Sequence, residues 1–449
     1  MTQQATSADA PPTDGLAVSG ARQGAGGPTA WTITVLTMIG FLGSVDRQVF
    51  TTLLVPIQKD LRVNDTAMGL LTGSAFALVY AFIALPLARL SDRANRRNIL
   101  AAAVVIWSAA TAFCGIATGY FTLLAARFGV ASAEAALMPT TMSMIGDLAP
   151  PARRGAPVGI WNAGIALGFA SGAVIAGVLS DHYGWHAAMM IVGLPGLVVG
   201  ALMFLTVLEP VRGAYDGPEG QTAREPLIAS LRRIARIQTF RPFVLGYVGL
   251  NISYQGFLLW LPPFLMRVHH LSATQMGLIF GPITVGGMVS TLAGAALSDR
   301  LARRSPKWRL YFAGGMAAVA APLLCAYALA PGLPAAIALL LAFTLVGGSI
   351  SSVSQVSYLS MAPVHMRGLV TAIMNVIGIA LGGGLSGVVD GAVNDALKPI
   401  WGDQSLRYTM QIAPATMALC AVMYFIASRT MNRDVARVTE GEKIAGDSA

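Results

Sequence analysis

Stretches of about 20 mostly apolar residues, the length a helix needs to cross a bilayer core, recur at twelve places along this chain. They centre near Gly43, Ala77, Ala109, Met138, Phe169, Leu197, Leu250, Gly286, Val319, Val346, Ile377 and Ala418. Nothing in the sequence constrains the fold more tightly. Backbone N–H and C=O groups in lipid have no water to bond, so each stretch has to pair its own and become a helix. With only 11% charged residues in 449, the chain could not coat a soluble surface. The expected fold class is an all-α membrane protein with twelve transmembrane helices.

The net charge of +9 could suggest nucleic acid, yet the basic residues fall in short clusters between apolar stretches, without an aromatic-rich basic groove, so no nucleic-acid partner is expected. The clusters read better as orientation signals. An even number of spans puts both termini on one side. That side gathers Arg89, Arg93, Arg96 and Arg97, then Arg153 and Arg154, then Arg300, Arg303, Arg304, Lys307 and Arg309, and Arg367. The opposite side carries Lys59, Arg62, Arg267, Lys398 and Arg407. By the positive-inside rule both termini are expected to be cytoplasmic. Residues 1–28 lack a basic start, short apolar core and cleavage site, and read as a disordered tail rather than a signal peptide. Cys114, Cys325 and Cys420 are scattered through apolar stretches, which gives neither a disulfide framework nor a metal site.

A repeat organises the spans. Ala88-Arg89-Leu90-Ser91-Asp92-Arg93-Ala94-Asn95-Arg96-Arg97 returns as Ala295-Ala296-Leu297-Ser298-Asp299-Arg300-Leu301-Ala302-Arg303-Arg304, with seven of ten positions identical. Arg154-Gly155 and Asn162 are matched more weakly by Arg367-Gly368 and Asn375. Two six-helix halves related by parallel duplication are therefore expected: 29–208 and 241–430, joined by a cytoplasmic linker at 209–240 and followed by a C-terminal tail at 431–449. Within the linker, Leu227, Ile228, Leu231, Ile234 and Ile237 fall to one side and Arg232, Arg233 and Arg236 towards another. That spacing suits an amphipathic helix on an anionic inner leaflet, with membrane lipids as its partner, or a solvated linker helix.

Four ionisable residues stand inside apolar stretches: Asp46 and Arg47 in the first, Arg127 and Glu134 in the fourth. A charge at bilayer depth costs roughly 3 kcal/mol on insertion scales, so such groups default to a functional reading. A buried ion pair that fixes helix packing is the competing reading, and the two are compatible. Arg127 and Glu134 are two helical turns apart and do not pair directly; Asp46 and Arg47 point about 100° apart. A network is expected in which Arg47 and Arg127 neutralise Asp46 and Glu134, with a proton deciding which pairs form. Desolvation favours the neutral carboxyl and a nearby arginine favours the charged one, so a carboxylate in a cavity that opens alternately to each side suits proton carriage. Asp46 and Glu134 are thus the proton-coupling candidates, unranked. Asn162, Asn251, Tyr254, Gln255, Ser352, Gln355 and Asn375 lie at depths suited to a substrate site, although each taken singly suits helix-to-helix hydrogen bonding better. Asp147, near Arg153 at the end of the fourth stretch, fits a contact at the basic face better than a coupling role. No Gly-Lys-Ser phosphate loop or metal-ligand cluster supports an enzyme.

The repeated Leu-Ser-Asp-Arg-x-x-Arg-Arg run resembles the signature loop of the Major Facilitator Superfamily, with a counterpart where that fold requires one. The resemblance covers about residues 30–430 and implies two six-helix bundles with pseudo-two-fold symmetry, alternating access and a protein sufficient as a monomer. Within the superfamily, Asp46-Arg47-Gln48, the run Arg127 to Ala135, Pro139-Thr140, Gly146-Asp147-Leu148 and Trp260-Leu261-Pro262-Pro263-Phe264-Leu265 are similar to bacterial members of the Spinster group. Ala131 and Ala133 stand where that group has glycines, and the tract Gly164, Gly168, Gly172, Gly177 lacks the proline of the antiporter signature. The resemblance implies a proton-coupled transporter in the bacterial inner membrane for an amphipathic lipid-like anion, with Asp46, Arg47, Arg127 and Glu134 as coupling or substrate-contacting positions and the proton in place of any cofactor. A symporter of hydrophilic organic anions such as sugar acids is the alternative; a passive scramblase or a sensor fits less well. The signature loop is expected to act as a cytoplasmic latch, Asp92 facing the helix start at Arg367 and Asp299 that at Arg154. Arg93, Arg97, Arg153, Arg300, Arg304 and Asp147 complete the latch set.

Overall fold

The computed structural model describes residues 27–215, 234, 237–363 and 366–447, all in helices and short connections. Most of the linker expected to form an amphipathic helix lies outside the described residues, as does the tail before residue 27.

Ten helices are long and apolar enough to cross a membrane. Two of these hold a pair of crossings each. Gly155–Thr206 has 52 residues, about 78 Å at 1.5 Å per residue, far more than a bilayer needs. It breaks at Gly184, whose φ of 79° is open to glycine at little cost. The last span, Leu369–Val438, breaks at Gly402 (φ 55°). Ten plus two gives twelve crossings among the described residues. The twelfth helix, Ile412–Asp447, runs on through the stretch read as a C-terminal tail. One contact explains part of that extension: Asp434 is buried and accepts from the N–H (2.8 Å) and hydroxyl (2.7 Å) of Thr239, just before the seventh helix, Phe240–Val268.

The helices pack as two bundles. In the first, Gly27–Thr52 lies along the fifth crossing, and Arg96–Cys114 along the sixth. In the second, the seventh and ninth helices both pack on the twelfth. The bundles meet along two seams, second helix against eleventh and eighth against fifth. The closest points are backbone on backbone. A Cβ at Gly69 would lie 1.9 Å from the Gly387 carbonyl oxygen, and one at Gly277 would lie 2.5 Å from that of Ala173.

The two seams are copies of one another. Asp65-Thr66-Ala67-Met68-Gly69-Leu70 begins the second crossing, and Ala273-Thr274-Gln275-Met276-Gly277-Leu278 begins the eighth. Each start is capped by an aspartate from the other half, four residues beyond a glycine pressed against it. Asp395 accepts from Asp65 N (2.9 Å) and Thr66 N (2.8 Å), and Asp181 accepts from Thr274 N (2.9 Å). Gly391 and Gly177 are the glycines. Asp65 adds a buried clamp to one copy only. Its carboxylate receives Arg267 Nη1 at 2.9 and 3.1 Å, Gln58 Nε2 at 2.8 Å and Asn394 Nδ2 at 2.6 Å.

Both seams lie at the end away from the chain termini. At the other end Arg93, Arg153, Arg300, Arg303, Arg304 and Arg367 stand exposed. The cleft between the bundles therefore opens towards the termini.

The second and eleventh helices each carry a π-helical segment, Leu70–Ser74 and Gly378–Leu385. The two pack against each other, and the Ser74 hydroxyl donates to the Gly384 carbonyl.

Candidate functional site

The first and fourth helices bring the four intramembrane charges together in the N-terminal half. Arg47 Nε lies 2.6 Å from Glu134 Oε2, and Arg127 Nη1 lies 3.7 Å from Asp46 Oδ2. The adjacent residues Asp46 and Arg47 thus serve two different partners, as their angular separation requires. Thr111, on the third helix, donates to Asp46 Oδ1 at 2.5 Å. Asp46, Arg127 and Glu134 are buried, whereas 38% of the Arg47 side chain is exposed to the cleft. Each carboxylate keeps one buried oxygen without a hydrogen bond, Asp46 Oδ2, which faces Arg127, and Glu134 Oε1.

Aromatic rings complete the cluster. The Arg127 guanidinium carbon sits 4.1 Å from the Phe50 ring centre and 4.9 Å from that of Phe76. Arg47 lies 6.0 Å from Phe76 and 5.6 Å from Tyr80. Phe76 therefore faces both cations, holding them apart while satisfying each by its ring quadrupole. None of these rings is distinguished in the sequence from ordinary core residues.

A cavity of about 590 Å³ lies beside this cluster, between the bundles. Arg47, Arg127, Gln48, Thr51, Phe76 and Tyr80 form its N-terminal wall. The C-terminal wall is mostly apolar, with Phe257, Leu258, Leu259, Phe280, Ile283 and Phe343 interrupted by Tyr254, Gln255, Thr284 and Thr291. Of the uncharged polar candidates, only Tyr254 and Gln255 line the cavity. Asn251 donates to the Tyr247 carbonyl at 2.8 Å, Ser352 bonds to Thr291 and Ser349 carbonyls, and Asn162, Gln355 and Asn375 are exposed away from the lining.

At the termini end, Asp147 meets Arg96 rather than Arg153. Arg96 is 2% exposed and also donates to Glu209 Oε1 (2.7 Å) and the Pro210 carbonyl (2.8 Å), tying the third and fourth helices to the chain after the sixth. That role was hidden in the sequence, where Arg96 looked like one more topology charge. Asp299 pairs at 2.9 Å with Arg309 in its own half, and the Asp92 side chain lies outside the described residues. Arg154 Nε donates to the Ala149 carbonyl and Arg367 Nε to that of Ala362. The two arginines occupy matching positions in the duplicated halves.

Comparison with known proteins decides the family. The family model described as Major Facilitator Superfamily matches residues 36–387. The chain belongs to the Major Facilitator Superfamily. It is a transporter rather than an enzyme. A Major Facilitator efflux pump of Mycolicibacterium smegmatis is 28% identical over 410 residues, covering 90% of this chain and 94% of the relative. The sphingosine-1-phosphate transporter of Danio rerio is 26% identical over 433 residues, covering 88% and 82%. A bacterial homologue of the human lysosomal transporter Spinster, solved inward-facing and unoccupied, superposes with a TM-score of 0.82 at 27% identity, covering 90% of this chain and 98% of that one. This Major Facilitator transporter is therefore Spinster-like, as its charged motifs indicated.

Proposed function

We propose that this transporter moves an amphipathic, lipid-like anion of the sphingolipid or lysolipid class, coupled to protons, by alternating access across the bacterial inner membrane with both termini cytoplasmic. The observation that carries the reading is the two-sided cavity. Arg47 and Arg127 offer charge and hydrogen bonds to a phosphate or carboxylate head group, while the facing wall of Phe257, Leu258, Leu259, Phe280 and Ile283 suits an acyl chain. The sphingosine-1-phosphate transporter among the relatives supports the same substrate class.

Proton coupling finds support in the buried carboxylate oxygens of Asp46 and Glu134 that have no hydrogen bond. A proton on Glu134 would weaken its hold on Arg47, the one cation of the four-residue network exposed to the cleft, and free that guanidinium for a head group. An anion on Arg47 would in turn compete with Glu134. Binding of substrate and proton would thereby be linked through one 2.6 Å contact.

The latch is part of the proposal. With the cleft open towards the termini, Asp92 and Asp299, Arg93, Arg97, Arg300 and Arg304 would re-form contacts near Arg153, Arg154 and Arg367 when it shuts, worth roughly 0.5 to 2 kcal/mol each. A monomer suffices for this cycle. Gln48, Thr51, Thr72, Gln255, Thr284 and Thr291 around the cavity favour a second reading, a proton symporter of hydrophilic organic anions such as sugar acids.

Purified protein in liposomes with an imposed pH gradient tests both. Gradient-dependent movement of a fluorescent lysophospholipid or sphingosine-1-phosphate analogue, lost in Glu134→Gln, is the expected result. Movement of a labelled sugar acid with no lipid movement would overturn the lipid assignment in favour of the second reading.

A further inference from the structure

One intramembrane carboxyl takes no part in the cluster described above. Asp390, on the eleventh helix, is 7% exposed and has neither a hydrogen bond nor an ion pair, and its Oδ1 is fully buried. Its space is made by a missing side chain: a Cβ on Gly256 of the seventh helix would sit 2.6 Å from Asp390 Oδ2. Such a bare carboxylate is among the costliest groups to bury, and the neutral acid is the form a dry, unpartnered site tolerates.

Charged groups on the packed elements are committed elsewhere or pair with other groups. From the second helix comes Asp65, clamped by Arg267 of the seventh; from the eleventh itself, Asp395, which caps Asp65 and Thr66, and Lys398, 4.0 Å from Asp65. Arg407, after the eleventh, donates to the Ala328 and Ala330 carbonyls, while Asp403 is exposed. None of them reaches Asp390. Among the described residues no group of three or more His, Cys, Asp or Glu side chains gathers that could hold a metal ion, and a proton is the ligand a single bare carboxyl fits.

The duplicated seam supplies an internal control. The alignment that pairs Gly391 with Gly177 and Asp395 with Asp181 pairs Asp390 with Ala176, which is fully buried. In the N-terminal half the same position is therefore a methyl group, packed in the core with Val45 and Val49 of the first helix. Helix packing at this position has no need of a carboxyl, so the one in the other half calls for another role. It is placed for one. Gly391, the next residue, presses on the Asp65 carbonyl, where a Cβ would be 2.5 Å away, and Gly387, one turn earlier, presses on Gly69. When this seam parts, the face of the eleventh helix that carries Gly387 and Gly391, next to Asp390, loses its cover.

We infer that Asp390 is a separate proton-binding site in the C-terminal half, dry and protonated while the seam away from the termini is shut, and hydrated and free to ionise when that seam opens. A proton at Asp390 thus favours the shut seam, so low pH closes it and high pH opens it. The inference goes beyond the proposed substrate and does not depend on it.

The test is the distance across this end by pulsed electron resonance. Spin labels are carried on non-natural residues at the exposed loop positions Thr118 and Pro331, leaving the native cysteines in place. The protein in lipid nanodiscs is titrated from about pH 5 to 9. The short-distance population is expected to fall as pH rises in the parent and to stay high throughout in Asp390→Asn, which keeps the shape and removes the titration. A variant carrying Asp46→Asn with Glu134→Gln should keep a pH response that Asp390→Asn then abolishes. Retention of the full response in Asp390→Asn would overturn the inference. So would a parent with no pH response, or a response lost when Asp46 and Glu134 alone are neutralised. Neither substrate nor transport is needed for the reading, so failure here leaves the lipid proposal standing, and the reverse also holds.

Discussion

Arg47 on the first helix and Glu134 on the fourth meet at 2.6 Å with the carboxylate fully buried and the guanidinium facing the cleft. One partner is sealed and the other is reachable from the cavity, so a ligand can address the pair from one side only.

Neutralising the carboxylates should separate transport from its driving force. Glu134→Gln and Asp46→Asn are each expected to abolish the response of uptake to an imposed pH gradient while leaving counterflow exchange measurable. The check is tracer uptake with and without the gradient. If the double variant concentrates substrate as well as the parent, coupling resides elsewhere.

Arg127→Lys keeps the charge but removes the flat guanidinium that lies 4.1 Å from the Phe50 ring centre and 4.9 Å from that of Phe76. Losing this stacking is worth about 0.5–2 kcal/mol, a weakening of substrate binding of roughly 2- to 30-fold. Phe76→Leu should weaken binding to a similar degree, because that ring faces both arginines. Direct binding of the lipid analogue measures both, and parent-like affinity in Arg127→Lys would show that charge is sufficient.

Gly69→Ala adds a methyl group where only 1.9 Å separates a Cβ from the Gly387 carbonyl oxygen. Backbone cannot yield as a side-chain tip would, so the seam is expected to stand ajar and the shut population to fall by at least about 10-fold, a penalty of about 1.4 kcal/mol or more. Labelling of a cysteine placed in the cavity by a membrane-impermeant reagent added from the side away from the termini should rise. Unchanged labelling would mean that the helices reseat around the methyl.

Asp92→Asn and Asp299→Asn remove the repeated latch acids. Each is expected to shift the balance towards the cleft open at the termini by about 0.5–2 kcal/mol, or roughly 2- to 30-fold. Spin labels across that end would report it, and Arg309→Gln, which touches Asp299 only within its own half, should have the smaller effect.

Much of this was legible in the chain because lipid leaves few options. Apolar length alone yields the crossings, and the four misplaced charges announce their own site. The rest depended on angles that apolar helices do not advertise. With lipid on one side and protein on the other, a membrane helix carries no polar stripe to orient it, so the sequence put Asn162, Gln355 and Asn375 at a suitable depth without fixing whether they line the cavity, and they do not. Phe50, Phe76 and Tyr80 matter only through the two guanidinium groups they face, and those contacts cross between helices. The clamp of Asp65 and Arg267 joins residues 202 apart in sequence, and Arg267 had looked like an ordinary loop-end charge. Arg96 differed from its neighbours only in being buried.

The paired π segments carry a record of how the halves diverged. From Gly69 to Leu90 is 21 steps along the second helix, whereas the matching stretch of the eighth, Gly277 to Leu297, is 20. From Arg367 to Gly391 is 24 steps along the eleventh, against 23 from Arg154 to Gly177 along the fifth. The longer member of each pair is the one with the π segment, which is how a helix absorbs one extra residue without being broken. Each half has thus gained, or its twin has lost, a single residue since duplication, and both odd residues ended up face to face on one seam. The other seam kept the regular helix. A protein assembled from two equal copies has in this way become lopsided at one hinge by the smallest change a gene can make to a chain's length.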